Sequence, residues 1–176
     1  MNTRKKIKFI LLVAVSLDGY IANGEKEGSE WTSPEDKKFF FKELDKCDVA
    51  IMGRKTFDAI KRPLTPRNRV VFTHQKTFRH SAEYENVLAF AGSVSALLSF
   101  LKKQSWKRVA IVGGTSIYDW FLKQNLVDEV YLTIEPVLFG TGKTFTSRIL
   151  PVCRKSKLVS VRKLNTKGTL LLHYKH

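Results

Sequence analysis

The segment Arg108-Val109-Ala110-Ile111-Val112-Gly113-Gly114-Thr115-Ser116-Ile117-Tyr118-Asp119-Trp120-Phe121-Leu122 passes from a continuous apolar run through two glycines into helical spacing. Apolar residues recur at Ile117, Phe121 and Leu122, so the pattern predicts a buried strand, a tight turn and a helix. Backbone without side chains at Gly113 and Gly114 admits a close ligand, and the free amides and positive end of the next helix favour phosphate. These residues allow two accounts: a pyrophosphate-binding turn, or a strand-to-helix connection that needs glycine for steric reasons. The three-glycine dinucleotide fingerprint is absent, since Thr115, Ser116 and Ile117 come next.

The same arrangement recurs upstream. Asp48-Val49-Ala50-Ile51-Met52 reads as a buried strand running into Gly53-Arg54-Lys55-Thr56-Phe57, where cations and a hydroxyl open a helix. Cations in a first turn oppose the helix dipole, so phosphate binding and a solvated basic turn both stand as accounts. Earlier still, Ser33-Pro34-Glu35-Asp36 combines an N-cap hydroxyl, a proline at the first helical position and acids in the first turn, which predicts a helix to about Lys46. Asp36 either answers Ser33 in a capping box or, with Phe40 one turn on along the same face, looks into a cavity suited to a flat nitrogen heterocycle.

The apolar run Phe9 to Val15 predicts a buried strand closed by the Asp18-Gly19 turn, although Arg4-Lys5-Lys6 ahead of it imitates the opening of a signal peptide. The polar stretch Asn23 to Glu30 predicts a cover over a site. Further strands are expected at Val70 to Thr73, Val87 to Phe90, Val130 to Ile134, Leu158 to Leu164 and Thr169 to Tyr174. The last two flank Asn165-Thr166-Lys167-Gly168, which is good hairpin chemistry. Ser93 caps a helix whose Val94, Leu97, Leu98 and Leu101 make a core stripe. Strands alternating with helices give an α/β fold with an antiparallel end, and 176 residues suit a single domain over 1–176.

The composition, 43% hydrophobic and 27% charged, is that of a globular domain. Thirty-one Lys and Arg against sixteen Asp and Glu leave a charge of +15, which favours anionic partners: nucleic acid, a membrane surface or phosphorylated small molecules. No basic motif interleaved with aromatics accompanies the charge, so a nucleic-acid-binding module has charge alone as its warrant. Cys47 and Cys153 are too few for a disulfide framework and lack metal-ligand spacing with the four histidines, which suits a reducing cytoplasm and no metal.

Taken together, these segments resemble dihydrofolate reductase and the reductase domains of bacterial riboflavin biosynthesis. Trp31-Thr32-Ser33-Pro34-Glu35-Asp36 with Phe40 is similar to the W-x-x-P-x-D-x-x-x-F segment of dihydrofolate reductases. Ile51 to Phe57 resembles their nucleotide-binding turn, Ile60 to Arg67 the segment after it, and Ile111-Val112-Gly113-Gly114 with Tyr118 and Tyr131-Leu132-Thr133 extends the likeness to most of residues 9–145. The resemblance implies a three-layer sandwich: a mostly parallel central sheet with helices on both faces and an antiparallel C-terminal hairpin.

It further implies NADPH as cofactor, held by Ala14, Gly53, Arg54, Lys55, Thr56, Thr73, His74, Val112, Gly113, Gly114, Thr115, Ser116 and Tyr118, with a cis peptide between Gly113 and Gly114. Asp36, backed by Thr133, would carry the catalysis, Phe40 would pack on the substrate ring, and Arg67 would meet an anionic tail. Lys37 stands where the folate enzymes usually carry an apolar residue, while Pro136 to Gly142 look more like the riboflavin-type reductases. The substrate is thereby open between a pteridine and a ribosylaminopyrimidine phosphate. A fold that binds the cofactor without catalysis is the other alternative, and the late strands, with Leu170, Leu171 and Leu172, are expected to form a homodimer edge.

Overall fold

The computed structural model describes residues 7–24, 30–60, 68–74, 86–147 and 155–176. Alternation along β1 (Lys8–Val15) sets the layers, because successive side chains of a strand point to opposite faces. Phe9, Leu11, Val13 and Val15 pack with Leu97 and Leu101 of α3 (Val94–Lys103) and with Ile117 and Phe121 of α4 (Thr115–Lys123). Ile10 and Leu12 enter a second cluster with Leu44 and Phe40 of α1 (Pro34–Leu44) and Phe57 of α2 (Arg54–Ala59). Helices therefore cover both faces of one sheet, which is the three-layer α/β arrangement expected.

The remaining strands are β2 (Tyr20–Ala22), β3 (Val49–Gly53), β4 (Arg69–Phe72), β5 (Val87–Phe90), β6 (Arg108–Ile111), β7 (Glu129–Ile134), β8 (Lys143–Thr144), β9 (Lys157–Lys163) and β10 (Leu170–Lys175). The main sheet runs β5-β4-β3-β6-β1-β7-β10-β9. Pairings from β5 to β7 are parallel, whereas β10 is antiparallel to both β7 and β9. Parallel strands covered on both faces read as continuous apolar runs, and Val49 to Met52 and Val109 to Ile111 are fully buried. The run from Phe9 to Val15, which imitates a signal peptide in sequence, lies in the middle of this sheet.

After β1 the chain leaves to the face of α1, and after the adjacent β6 it leaves to the face of α4. Connections departing to opposite faces open a crevice at the carboxyl ends of those strands, where open α/β sheets bind ligands. A strap made of β2 and β8 runs near this edge; strands of three and two residues are too short to carry a readable period and were not expected. Alternation also sorts the late leucines differently from the expectation. Leu171 is buried at 2% exposure, and the open apolar surface is Leu170 with Leu158, Val159 and Val161 of the edge strand β9.

Candidate active site

The two glycine turns meet at the crevice. Gly53 donates its amide to the Gly113 carbonyl at 2.8 Å, and Val112 donates to the Ile51 carbonyl at 2.9 Å. The Gly113–Gly114 peptide is cis, as the resemblance implies. Gly113 has φ +112°, and a Cβ there would sit 3.0 Å from the Tyr118 hydroxyl oxygen. A Cβ on Gly53 would sit 3.1 Å from the Ile117 side chain, and one on Gly114 would sit 3.4 Å from the Thr56 hydroxyl oxygen. Packing is therefore tight at Gly53 and Gly113, and the positive φ of Gly113 is one that side chains rarely adopt. Among the first-turn amides of α4, that of Ile117 donates to the Gly114 carbonyl at 2.9 Å, and those of Thr115 and Ser116 lie ahead of it at the positive end of the helix.

Several of the expected cofactor residues have their side chains committed. Thr115 donates its hydroxyl to the Thr144 carbonyl of the strap at 2.5 Å. Tyr118 donates its hydroxyl to the Leu12 carbonyl at 2.9 Å, and burial pushes the phenol pKa well up. Arg54 donates Nε to both carboxylate oxygens of Asp58 at 2.8 Å, while Lys55 is exposed. Thr73 and the exposed His74 follow the end of β4, and Ala14 stands opposite Thr133 in the β1–β7 register. Arg67 lies outside the described residues.

Asp36 is a buried carboxyl at this edge, 7% exposed on the first turn of α1. Its side chain is hydrogen-bonded to Thr133 and Thr32, yet burial, reinforced by the charge of Glu135, raises its pKa above the ordinary aspartate range. Thr133 comes from β7 and is itself 2% exposed. Half-buried Phe40 lies one turn along α1 and packs against the cluster that also takes Val112 and Phe57. The structure thus brings Asp36, Thr133, Phe40 and the end of β6 to one side of the sheet.

The capping-box account of Asp36 is half met. Ser33 caps the helix by accepting from the Asp36 amide at 3.2 Å. The return bond is supplied elsewhere: the Ser33 amide donates to Glu135 Oε1 at 2.8 Å, from a residue that follows β7. Glu135 also accepts from the Ser33 hydroxyl at 2.7 Å and from the Thr169 hydroxyl at 2.7 Å. Glu135 was not among the expected site residues; its one local signal is an acid between an apolar strand and Pro136.

A model of the RibD C-terminal domain matches residues 8–170. The chain belongs to the RibD C-terminal domain family. It is 31% identical over 167 residues to the dihydrofolate reductase of Buchnera aphidicola subsp. Baizongia pistaciae, covering 93% of this chain and 94% of that one. The fold matches Acinetobacter baumannii RibD with a TM-score of 0.81 at 21% identity, over 98% of this chain and 59% of that one. It also matches the diaminohydroxyphosphoribosylaminopyrimidine deaminase/5-amino-6-(5-phosphoribosylamino)uracil reductase of Thermotoga maritima, with a TM-score of 0.75 at 17% identity over 98% of this chain and 57% of that one. This RibD C-terminal domain is therefore a reductase-type, dihydrofolate reductase-like protein. No helix among the described residues is long and apolar enough to cross a membrane.

A raised carboxyl pKa means that the fold binds the Asp36 proton more tightly than the unfolded chain does. That contribution to stability is present below the ordinary aspartate pKa and is lost as pH rises through the raised value. Asp36→Asn removes the ionisable group, so the variant is expected to melt higher than the parent near pH 7, by about 2–4 °C per kcal/mol recovered in a domain of this size. Differential scanning calorimetry from pH 4 to pH 8 checks this, and the gap should close towards the acid end. A variant that melts lower by the same amount at every pH would return Asp36 to a capping role.

Proposed function

We propose that this domain reduces a nitrogen heterocycle with NADPH, and that Asp36 supplies the proton that accompanies the hydride. The observation that carries the reading is the buried carboxyl of Asp36 at the carboxyl edge of the sheet, beside the glycine cradle, with a pKa that burial raises. When bound, the nicotinamide cofactor supplies the hydride. The chain's own part is to bind and orient both reactants, exclude water and hold the proton.

The cradle suits a dinucleotide by its geometry. In this reading the amides of Gly114, Thr115 and Ser116 at the start of α4 receive the diphosphate, since the Thr115 hydroxyl is committed to Thr144. Gly53 and Thr56 complete the cradle from α2, and Arg54 and Lys55 add positive charge there. Lys55, Thr73 and His74 suit the extra phosphate that distinguishes NADPH from NADH. Ala14 and Val112 line the nicotinamide end, and Tyr118 props Gly113 from beneath through its bond to Leu12.

On the substrate side, Thr133 orients Asp36, Phe40 packs on the heterocycle and Arg67 meets an anionic tail. A protonated carboxyl beside an aromatic ring can donate to a ring nitrogen while the neighbouring carbon takes the hydride. The substrate class is a pteridine or a ribosylaminopyrimidine phosphate, in keeping with the activities named for the Buchnera and Thermotoga relatives. Such a metabolic reductase belongs in the cytoplasm. We further propose a homodimer across the open β9 edge, where Leu158, Val159 and Val161 are exposed.

NADPH oxidation followed by absorbance, with dihydrofolate, dihydropterins and ribosylaminopyrimidine phosphate offered in parallel, tests the reading. Asp36→Asn is expected to bind NADPH as the parent does and to turn over the best substrate about 10²-fold more slowly; unchanged turnover would remove Asp36 from the chemistry. Light scattering is expected to give twice the 20.2 kDa chain mass, and a constant monomer mass across concentrations would refute the dimer.

A further inference from the structure

Glu135 is a buried carboxylate, 4% exposed, with a backbone pinned to the sheet: its amide donates to the Val15 carbonyl at the end of β1 at 2.9 Å. It accepts two hydrogen bonds from Ser33 and one from Thr169, which is 1% exposed. Thr169 is held in turn by Asn165, whose Nδ2 donates to its hydroxyl at 2.9 Å and whose Oδ1 accepts from its amide at 3.1 Å. Three segments far apart in sequence converge on this carboxylate: the carboxyl end of β7, the entry to α1 and the hairpin between β9 and β10. A buried acid with three donors and a fixed backbone is costly to leave unpaired, and its satisfied geometry is correspondingly specific.

Local capping would normally give the Ser33 amide a carboxylate at the third position of its own helix. That position is Asp36. Because Glu135 takes the Ser33 amide, the Asp36 side chain is released from the cap and turns to Thr133 and Thr32 instead.

From this exchange of partners we propose that Glu135 is a positioning residue for Asp36: it substitutes for Asp36 in the cap of α1, fixes the first turn of that helix against β7 and the late hairpin, and so aims the Asp36 carboxyl into the crevice. Its charge also acts on Asp36. Among the described residues, the charged groups acting on Asp36 are Glu135, which disfavours its ionisation, and Lys37, which favours it; Thr133 and Thr32 face it as hydrogen-bond partners. The two neighbouring carboxyls sit in unlike settings: Glu135 is surrounded by three hydrogen-bond donors, and Asp36 is desolvated.

The inference rests on the proton-donor role proposed for Asp36, and its test separates the two. Carbon-13 NMR of aspartate-labelled protein follows the Asp36 carboxyl through a pH titration, with the resonance assigned by its loss in Asp36→Asn. Glu135→Gln is expected to move the Asp36 midpoint to lower pH and to lower kcat on the best substrate of the panel by one to two orders of magnitude at most, about the effect of a misaimed catalytic group, with NADPH affinity unchanged. Thr169→Val keeps both carboxyls and removes one donor from the clamp, so it should reduce kcat several-fold while the Asp36 midpoint stays nearer that of the parent. It also serves as the decisive variant if Glu135→Gln does not fold. An Asp36 midpoint that Glu135→Gln leaves in place, or full kcat in Thr169→Val, would overturn the proposal. Should no substrate be turned over, the reductase reading fails by itself, and the titration still decides whether Glu135 governs the Asp36 proton.

Discussion

Gly53 and Gly113 lie within one hydrogen bond of each other, and much of the functional architecture depends on that contact. It joins the carboxyl ends of β3 and β6, so that two strand-to-helix turns form a single surface. The steric terms are tight on both sides, with Ile117 beneath one glycine and Tyr118 beneath the other. Tyr118 carries the constraint onward, since its hydroxyl reaches the Leu12 carbonyl of the central strand. A side chain at either glycine would press on Ile117 or Tyr118.

Asp36 reaches the same edge by a different route. Its helix lies on the opposite face from α4 and is capped by Ser33, and the cap is closed by an acid that arrives with β7. The glycine side of the crevice is thus built from local turns, whereas the Asp36 side is built from long-range contacts. Burial then does the chemical tuning: Asp36 sits in hydrogen bonds that favour its charge, but desolvation and the neighbouring acid outweigh them. The same burial costs the folded state stability wherever Asp36 is ionised.

How much of this was legible in the sequence depended on range. The apolar runs at Phe9 to Val15, Ile51-Met52 and Val109 to Ile111 announced buried parallel strands because both their faces are covered. Ser33-Pro34 and Ser93 announced helix starts, and both serines do cap, accepting from Asp36 and Ala96. Glu135 could not be read, because its partner Ser33 lies 102 residues away and no local pattern links them. The commitment of Thr115 to Thr144 was equally hidden, whereas that of Arg54 to Asp58 is an i,i+4 pair that local spacing offers. The late leucines misled because an unbroken apolar run conceals which of its members faces inward.

The account makes one crevice of the glycine cradle and Asp36, and a crystal structure of the NADP⁺ complex tests that directly. The diphosphate should lie on the amides that open α4 with the Gly53 to Thr56 turn beside it, and the nicotinamide should enter next to Ala14 on the side of the sheet edge that holds Asp36. A cofactor seated away from the two glycine turns, or with its nicotinamide separated from Asp36 by the sheet, would contradict it.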